Sequence, residues 1–426
     1  MLQVVAIREQ FESYVEGLNK RGIQNASDIL NELLKIDDQR KSTQQSLEEI
    51  LSESNQSAKI IGQLLKEGKK EEAESAKAKT SELKQQSKAL GESLSALEEE
   101  LKSKLYNVPN IPHSSVPAGK NAEDNEVVKL EDSSIPQLNE GAKPHWDLIE
   151  EYDIIDFGLG NKITGAGFPV YKKEGARMVR AMINYFLDQA LEAGYQEVQP
   201  PILINEDSGY GTGQLPDKEG QMYQAMDTNM YLIPTAEVPI TNLYRDVIIE
   251  ENQLPVKNVG YTPCFRREAG SWGSHVRGLN RLHQFDKVEI VQVTTPDKSY
   301  ETLEQMVGHV EKLVASLGLP YRILRLCGGD MGFTSALTYD FEVYSAAQQK
   351  WLEVSSVSNF ETYQANRLKL RIKDKNGKKV LAHTLNGSAL AIPRILAAIL
   401  ENNQTESEIH IPQVLHRYTG FESIKK

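Results

Sequence analysis

The strongest constraint on the fold is a pair of heptad repeats separated by a short glycine-containing segment. Apolar and small residues recur at alternating steps of three and four, first from Leu30 to Leu65 and again from Ala76 to Leu101. A period of 3.5 residues is typical of helices that pack along one seam. Because glycine favours a turn between the repeats, the sequence predicts an N-terminal antiparallel α-helical coiled-coil arm over about residues 27–104.

An arm of this kind has one apolar seam and an otherwise polar surface. At about 1.5 Å per residue, each helix of about 35–40 residues would be about 50–60 Å long. With no second apolar face to dock on a globule, the arm should project into solvent. It could dimerise, space two domains or reach a large partner. Lysines only slightly outnumber acids over the half nearer the tip, so the charges fit RNA contact and also an ordinary solvated surface.

Composition bounds the class of protein. The chain has 426 residues, 39% of them hydrophobic and 25% charged, which predicts a soluble protein of two or three domains. A net charge of −12 argues against a strongly basic nucleic-acid coat. Two cysteines, Cys264 and Cys327, exclude a disulfide framework and a multi-cysteine zinc site, and both are predicted to be buried and inert.

No membrane or export segment is predicted. The N-terminus carries Arg8 and Glu9 after a short apolar run, so it does not resemble a secretory signal. The most apolar stretch, residues 389–400, is too short to span a bilayer and contains Pro393 and Arg394. We therefore expect a cytoplasmic protein.

The chain divides at its prolines. Residues 1–110 form the predicted N-terminal domain, in which residues 1–22 read as one amphipathic helix before the arm. Pro109 and Pro112 end the second arm helix. Residues 111–144 are polar and predicted to be a linker, and residues 145–426 are predicted to form a second domain.

The C-terminal domain alternates long helices with short strands. A helix is predicted over residues 174–193, and no phosphate-binding glycine motif is present. Grouped helices beside a mostly antiparallel sheet favour an α+β fold. The predicted strands are residues 195–204, 230–233, 247–249 and 321–326.

A strand–turn–strand pattern over residues 259–293 carries the clearest chemistry. It should place two arginines, two carboxylates and a phenylalanine near one patch of sheet. Guanidinium groups pair with phosphates and carboxylates, the aromatic ring can stack, and carboxylates accept from amines. The pattern predicts a site for ATP plus an amino acid, although a surface hairpin with solvated ion pairs fits it equally. The five residues are Arg266, Glu268, Arg281, Phe285 and Glu289.

Three further segments are weaker signals. Thr235 and Glu237 flank a helix start, and helix capping alone explains both. Glu353 and Ser356 could hold Mg²⁺ through oxygen atoms, but a polar strand end explains them as well. Arg394 lies near a predicted helix start, where a cation gains nothing from the helix dipole, which hints at an external anion.

Taken in order, these motifs resemble bacterial-type seryl-tRNA synthetases, a family of class II aminoacyl-tRNA synthetases, over essentially the whole chain. Residues 194–203, with Pro201, are similar to the first class II motif. Residues 265–289 are similar to the second, and residues 386–403, with Arg394, to the third. The resemblance implies a class II antiparallel sheet with flanking helices.

Two more segments carry the resemblance. Thr235-Ala236-Glu237 is similar to the family's serine-binding triplet, and the arm followed by residues 108–112 is similar to its N-terminal domain. The implied activity is serine–tRNA ligation: L-serine is activated with ATP to seryl-adenylate and transferred to the 3′ end of tRNA(Ser), and possible charging of tRNA(Sec) stays open. The implied partners are tRNA, gripped by the arm at its long variable arm, and a second copy of the chain in a homodimer.

The resemblance also implies residue roles. Arg266 and Arg394 are the implied catalytic residues, with Arg266 bridging the serine carboxylate and the α-phosphate. Glu268 would accept from the adenine amino group, while Phe285 and Arg394 would sandwich the ring. The residues implied for ATP are Arg266, Arg267, Glu268, Arg281, Phe285, Glu353, Val354, Ser355, Ser356 and Arg394.

The amino acid and the metal have their own implied residues. Mg²⁺ would be held by Glu353 and Ser356. A pocket that pairs the substrate hydroxyl rejects alanine, since its polar groups would otherwise stay unpaired. The residues implied for serine are Thr235, Ala236, Glu237, Arg266, Glu289, Asn386 and Ser388.

The sequence departs from the commoner bacterial pattern at three places. Arg267 stands where a small residue is usual, Ser274-His275-Val276 replaces a frequent Asp-Thr pair, and Pro393 precedes the third-motif arginine. The first two bear on loop contacts with ATP or the tRNA acceptor end. A ligase that loads a carrier protein is the alternative enzyme, but such relatives lack the arm. A coiled-coil scaffold with a degenerate nucleotide-binding domain would have lost the motif arginines and carboxylates, and these are present.

Overall fold

The computed structural model describes residues 1–268 and 277–426. The chain forms two compact units. The smaller unit comprises Leu2–Asn19 and Ile23–Pro109. The larger unit comprises Met1, Lys20–Gly22 and Asn110–Lys426.

The smaller unit consists of helices. Helices α3 (Ala26–Lys66) and α4 (Lys70–Leu105) form the predicted hairpin, hereafter the arm. The single helix predicted over residues 1–22 is wrong: α1 (Val4–Glu9) and α2 (Phe11–Lys20) are separated at Gln10, whose φ of −129° and ψ of 39° are not helical. The apolar period continues across this break, so the sequence alone does not reveal it.

Few side chains of the arm are buried. Leu30, Leu33 and Ile36 lie in the part nearest α1, whereas Ala73 and Leu83 are buried farther toward the turn. Ion pairs also link the two helices, such as Lys79 Nζ to a Glu53 carboxylate oxygen at 2.6 Å. Exposed pairs of this kind contribute about 0–1 kcal/mol each, so the narrow apolar seam holds the helices together.

The larger unit is built on an eight-stranded sheet. Its strands are β1 (Glu126–Glu131), β4 (Gln196–Glu197), β9 (Val256–Phe265), β10 (Gln284–Thr294), β11 (Tyr321–Arg325), β12 (Leu337–Ser345), β13 (Lys350–Asn359) and β16 (His383–Ala391). The strand order is β1-β11-β12-β13-β16-β10-β9-β4. Neighbouring strands are antiparallel except β4 and β9, which are parallel.

Two sequence predictions are corrected by this sheet. The predicted linker over residues 111–144 is wrong at β1, which pairs with β11 at one sheet edge. Five of its six side chains are exposed, so its composition resembles that of a linker. The predicted strand over residues 195–204 is split into β4 and β5 (Leu203–Asn205), because Pro200 and Pro201 cannot donate to a ladder.

Short strands and helices surround the sheet. The remaining helices are α5 (His145–Glu151), α6 (Phe157–Ile163), α7 (Lys173–Glu192), α8 (Glu206–Thr212), α9 (Glu237–Asn242), α10 (Ser299–Ser316), α11 (Thr362–Leu368), α12 (Ile392–Asn402) and α13 (His416–Thr419). The remaining strands are β2 (Ile155–Asp156), β3 (Val170–Tyr171), β6 (Tyr223–Gln224), β7 (Met230–Leu232), β8 (Ile248–Glu250), β14 (Arg371–Lys373), β15 (Lys379–Leu381), β17 (Glu408–His410) and β18 (Ser423–Lys425). Within the described chain, no helix is both long and apolar enough to cross a bilayer.

The core lies between one face of the sheet and helices α7, α10 and α12. Phe186 from α7, Leu396 from α12 and Ile290 and Phe341 from the sheet are fully buried there. Strand side chains alternate between the two faces of a sheet. The opposite face, here called the site face, therefore carries the polar residues of the same strands.

Candidate active site

The β9–β10 hairpin positions the first group of predicted residues. Phe285 lies opposite Cys264 and Glu289 opposite Gly260, so Phe285, Lys287 and Glu289 share the site face. Arg266 follows β9, and its backbone N–H donates to the His283 carbonyl at 2.9 Å. Its guanidinium lies 5.3 Å from the centre of the Phe285 ring. The hairpin thus brings the Arg266 guanidinium and the Phe285 ring together, as the sequence predicted.

A β-bulge brings Glu353 and Ser356 to the same face. In a regular strand, residues three apart point to opposite faces. Here Glu353 pairs with Glu342 and Ser356 with Asp340, because an extra residue at Val354 shifts the register of β13 against β12. The bulge therefore creates the oxygen pair that the sequence spacing alone would have separated.

Strand β16 completes the inner pocket. Ser388 lies opposite Glu289, and Asn386 lies opposite Val291 on the neighbouring strand. The Ser355 hydroxyl, which points away from Glu353, donates to the Ser388 carbonyl at 2.5 Å. Ser355 thus supports the pocket wall by fixing the backbone of β16.

Glu289 is the centre of a buried polar cluster. It is 2% exposed and pairs with Lys287 Nζ at 2.7 Å. The Thr235 hydroxyl donates to the same carboxylate at 3.2 Å, and the Ser388 hydroxyl lies 3.5 Å away. The backbone N–H of Glu237 donates to the Thr235 hydroxyl at 3.2 Å, while the N-cap residue of α9 is Ala236. Thr235 thus fixes the backbone where α9 begins and also contacts Glu289.

A second carboxylate and an unpaired amide face this cluster. Gln364 Nε2 donates to Glu237 Oε1 at 2.7 Å. Burial, and then the nearby Glu289 carboxylate, raise the pKa of Glu237 to about 7. Asn386 is buried, and its Nδ2 has no hydrogen-bond partner among the described residues. The Asn386 side chain also acts on the neighbouring Glu237 carboxylate, where it opposes the rise in pKa, so the amide belongs to the same polar cluster.

Arg394 and Arg281 border the other end of the site face. Arg394 Nε donates to the Asn280 carbonyl at 3.0 Å, and its terminal nitrogen donates to the Glu353 carbonyl at 2.6 Å. Arg281 pairs with Glu268 at 3.0 Å. The departure predicted at residues 274–276 lies outside the described residues.

Arg267 lines a cavity of about 570 Å³ together with Tyr210, Tyr223 and Tyr231. Phe285 does not line that cavity. The side chains of Val354 and Ser355 are buried, which leaves their backbone to face a ligand. The ATP-binding roles of Arg267, Val354 and Ser355 stay predictions.

Asp340 is a feature that the sequence did not single out. It faces Ser356 across β12 and β13, and its Oδ1 is buried without a partner among the described residues. Burial, and then the Glu353 carboxylate, hold its pKa well above the usual value. Oxygen atoms of Glu353, Ser356 and Asp340 on neighbouring strands are the donor type that Mg²⁺ prefers.

Sequence reasoning also missed Lys287 and Gln364. Lys287 stands two residues before Glu289, so the strand period would have placed it on the same face. Gln364 comes from α11, and no spacing in the sequence links it to Glu237. Cys264 and Cys327 are both buried, as predicted. Burial raises the pKa of the Cys264 thiol, which fits an inert role.

Comparisons with known proteins agree with this architecture. Residues 1–112 match the family described as "Seryl-tRNA synthetase N-terminal domain". Residues 221–403 match "tRNA synthetase class II core domain (G, H, P, S and T)". Both matches confirm the predicted resemblance and fold class.

Full-length relatives give the same result. The chain is 47% identical to the serine–tRNA ligase of Salinibacter ruber over 426 residues, which cover 100% of this chain and 99% of the relative. It is 44% identical to that of Akkermansia muciniphila, with the same coverage of both chains. The crystal structure of seryl-tRNA synthetase from Pyrococcus horikoshii complexed with ATP superposes with a TM-score of 0.92 at 33% identity, covering 100% of this chain and 99% of that one. The chain therefore belongs to the seryl-tRNA synthetase family of class II aminoacyl-tRNA ligases, whose reaction joins serine to tRNA.

Proposed function

We propose that the site face activates L-serine with ATP and then transfers the seryl group to the 3′ end of a tRNA. The buried cluster around Glu289, next to Arg266 and Phe285, carries this proposal. It combines carboxylates, hydroxyls and an unpaired amide in a space bounded by short side chains. Such a pocket suits a small hydroxylated amino acid better than a large or apolar one.

Charge balance supports the binding of an ammonium group. When ionised, Glu237 and Glu289 carry two negative charges against the single positive charge of Lys287. The substrate ammonium would restore neutrality, with Thr235 and the two carboxylates accepting its hydrogen bonds. Burial, and then repulsion from the Glu289 carboxylate, raise the pKa of Glu237 to about 7, and a bound ammonium would favour its ionised form.

The serine hydroxyl would meet Asn386 and Ser388. The unpaired Nδ2 of Asn386 can donate to it. Alanine would leave this donor unsatisfied, and a site built to pair a substrate hydroxyl rejects the analogue that lacks it by about 10⁴-fold or more. Asn386 is therefore proposed to determine specificity for serine.

The nucleotide would lie over Phe285. We place the adenine between Phe285 and Arg394, with Glu268 accepting from its amino group and Arg281 near the phosphates. The guanidinium of Arg266, now 5.3 Å from the Phe285 ring centre, would turn toward the α-phosphate when the adenine stacks there. The serine carboxylate oxygen then bonds to the α-phosphorus while pyrophosphate leaves, and Arg266 stabilises the developing charge.

Mg²⁺ is proposed at Glu353 and Ser356. When bound it would neutralise phosphate charge. Asp340, which faces Ser356 with an unpaired carboxylate oxygen, would support this site from β12. Arg394 holds the backbone of Glu353 and so orients its carboxylate relative to the nucleotide.

The second step needs no side-chain nucleophile. The terminal ribose hydroxyl of the tRNA attacks the carbonyl carbon of the adenylate, and AMP leaves. We propose that the arm grips the long variable arm of tRNA(Ser), and that tRNA(Sec) is a second possible substrate. Two copies of the chain are proposed to form a cytoplasmic homodimer. Sedimentation equilibrium would test this by measuring the mass of the particle in solution.

ATP–pyrophosphate exchange is the direct test. We expect exchange with serine, ATP and Mg²⁺, and none with alanine, threonine or glycine. A second assay compares the transfer of serine to total tRNA with its transfer to a carrier protein. It distinguishes tRNA ligation from the alternative, a ligase that loads a carrier protein. Absence of serine-dependent exchange in the pure protein would refute the proposal.

A further inference from the structure

We propose that a buried hydrogen-bonded ring holds the two arginines of the nucleotide site in place. The ring, here called the clasp, consists of His145, Leu279, Asn280, Gln348 and Glu401. It rests on the proposed function, because the residues that it orients, Arg281 and Arg394, are those proposed to meet ATP. The clasp itself touches neither proposed substrate site, so its members are positioning residues.

Glu401 is the buried anchor of the clasp. Both Glu401 and His145 side chains are 0% exposed. Glu401 Oε1 accepts from the His145 backbone N–H at 2.9 Å, from His145 Nδ1 at 2.7 Å and from Gln348 Nε2 at 2.8 Å. The Ser345 hydroxyl donates to the other oxygen. The Glu401 carboxylate, which lies near the end of the mostly apolar helix α12, is thus fully paired.

His145 connects Glu401 to the segment that precedes β10. Its Nε2 accepts from the Leu279 backbone N–H at 2.8 Å, which requires the proton to be on Nδ1. Gly278 makes the approach possible: its φ is +66°, and a Cβ there would lie 2.3 Å from Nε2. The neighbouring Arg277 guanidinium lies 5.0 Å from the centre of the Trp146 ring. Helix α5 therefore contacts residues 277–279 through its first two residues, His145 and Trp146.

The ring closes through Asn280 and Arg394. Asn280 Nδ2 donates to Gln348 Oε1 at 3.0 Å, and the Asn280 carbonyl accepts from Arg394 Nε at 3.0 Å. Arg394 lies on α12 about two turns before Glu401. Both ends of the clasp are thus bonded to α12, one at Glu401 and the other at Arg394. The backbone that precedes Arg281 is held between these two contacts.

Stability alone does not explain these contacts. Replacing a buried ionic group with well-packed apolar residues is often neutral or stabilising. A buried polar network instead specifies one arrangement of the elements that it joins. In the clasp the Glu401 carboxylate is fully paired, while the Asn280 Oδ1 has no partner among the described residues. Here that arrangement sets where Arg281 and Arg394 meet the nucleotide.

Two variants of His145 separate anchoring from stability. His145→Asn keeps an amide near the position of Nδ1 for Glu401 but cannot reach Leu279. His145→Gln can place its oxygen near the position of Nε2 for Leu279 but loses the bond to Glu401. Both remove one buried hydrogen bond, so thermal unfolding should shift by similar amounts.

The kinetic effects should differ. In the ATP–pyrophosphate exchange assay, we expect His145→Asn to raise the KM for ATP about tenfold, the equivalent of about 1.4 kcal/mol, and the KM for serine by less than about twofold. His145→Gln should stay within about threefold of the parent for both substrates. Equal KM values for ATP in the two variants, or parallel shifts for ATP and serine, would overturn the proposal.

A second pair covers the case in which the His145 variants do not fold. Gln348→Ala breaks the clasp at a half-buried position and should raise the KM for ATP severalfold. Gln404→Ala is its matched control, because Gln404 ties Lys143 to the same helix end with 2.8 Å bonds but does not contact residues 277–281. An equal effect of both variants on ATP would contradict the clasp. Absence of exchange in the parent would instead refute the proposed function.

Discussion

The arm and the sheet of the larger unit bury apolar residues in different ways. In the arm, α3 and α4 share one narrow seam, and most of their residues are exposed. In the larger unit, one face of the sheet is covered by three helices, while its site face carries paired carboxylates, lysine and amides. The apolar seam between the two helices only holds them together. In the sheet, one face packs in the core and stabilises the fold, while the other face carries the polar residues of the site. The predictions below test whether the two regions divide the work in this way.

The largest effect is expected at the site face. Arg266→Ala should lower serine-dependent ATP–pyrophosphate exchange about 10³-fold, the scale of losing a group that stabilises transition-state charge. Arg177→Ala is the control, since it also removes a guanidinium near an aromatic ring, that of Phe421. It should remain within about twofold of the parent. Comparable exchange in both variants would show that Arg266 has no special role.

Core stability should differ between the regions. Leu396→Ala should lower the free energy of unfolding of the larger unit by about 3 kcal/mol, within the usual range for a fully buried leucine. Leu83→Ala in the arm should change that transition by less than about 0.5 kcal/mol. The three tryptophans, Trp146, Trp272 and Trp351, all belong to residues 110–426, so their fluorescence during urea unfolding reports on the larger unit. A shift of this transition with Leu83→Ala would mean that the two regions unfold together.

Shortening the arm should separate the two reaction steps. Replacing residues 45–90 with a short Gly-Ser turn from Gln44 to Gly91 keeps the buried Leu33 and Leu101. Exchange should remain within about twofold of the parent, while tRNA charging should fall at least about 100-fold, or about 2.7 kcal/mol of lost tRNA binding. Normal charging by this variant would contradict the role proposed for the arm.

The smallest effect concerns pH. Because burial and Glu289 raise the pKa of Glu237 to about 7, proton loss accompanies binding of the serine ammonium. The KM for serine should therefore rise as pH falls below about 7, by at most tenfold per unit. Glu237→Gln should bind serine more weakly and remove this dependence; an unchanged slope would exclude Glu237.

The Glu237 carboxylate can also be compared with a carboxylate of the smaller unit, since the two should affect the pH dependence of stability in opposite directions. The raised pKa of Glu237 means that its contribution to stability is present below its ordinary pKa and is lost as pH rises through about 7. In the smaller unit, burial of Asp37 opposes ionisation, but hydrogen bonds from Lys41, Arg40 and Arg8 lower its pKa. The contribution of Asp37 is therefore present above its ordinary pKa and is lost in acid. In urea unfolding at several pH values, the parent minus Glu237→Gln difference and the parent minus Asp37→Asn difference should show these opposite slopes, because each variant removes one titrating carboxylate.

The site was only partly predictable from sequence. Arg266, Phe285 and Glu289 lie on one hairpin, so strand period and turn chemistry were sufficient to group them. Glu353 and Ser356 share a face only because of the bulge at Val354, which no local pattern announced. Arg267 lines a cavity that Phe285 does not line, and its position beside Arg266 in the sequence did not indicate that cavity.

Local periodicity and residue chemistry therefore determined the arm, the α+β class and the residues of the hairpin. These features depend on contacts between residues close in the chain, and the sequence records such contacts directly. Only the tertiary structure decided that β1 joins the sheet, that Asp340 faces Ser356 and that Glu401 anchors His145. The first and the last of these contacts join segments that are distant in the sequence, and the second depends on the register set by the bulge in β13. Strand register and helix packing are set by the whole core.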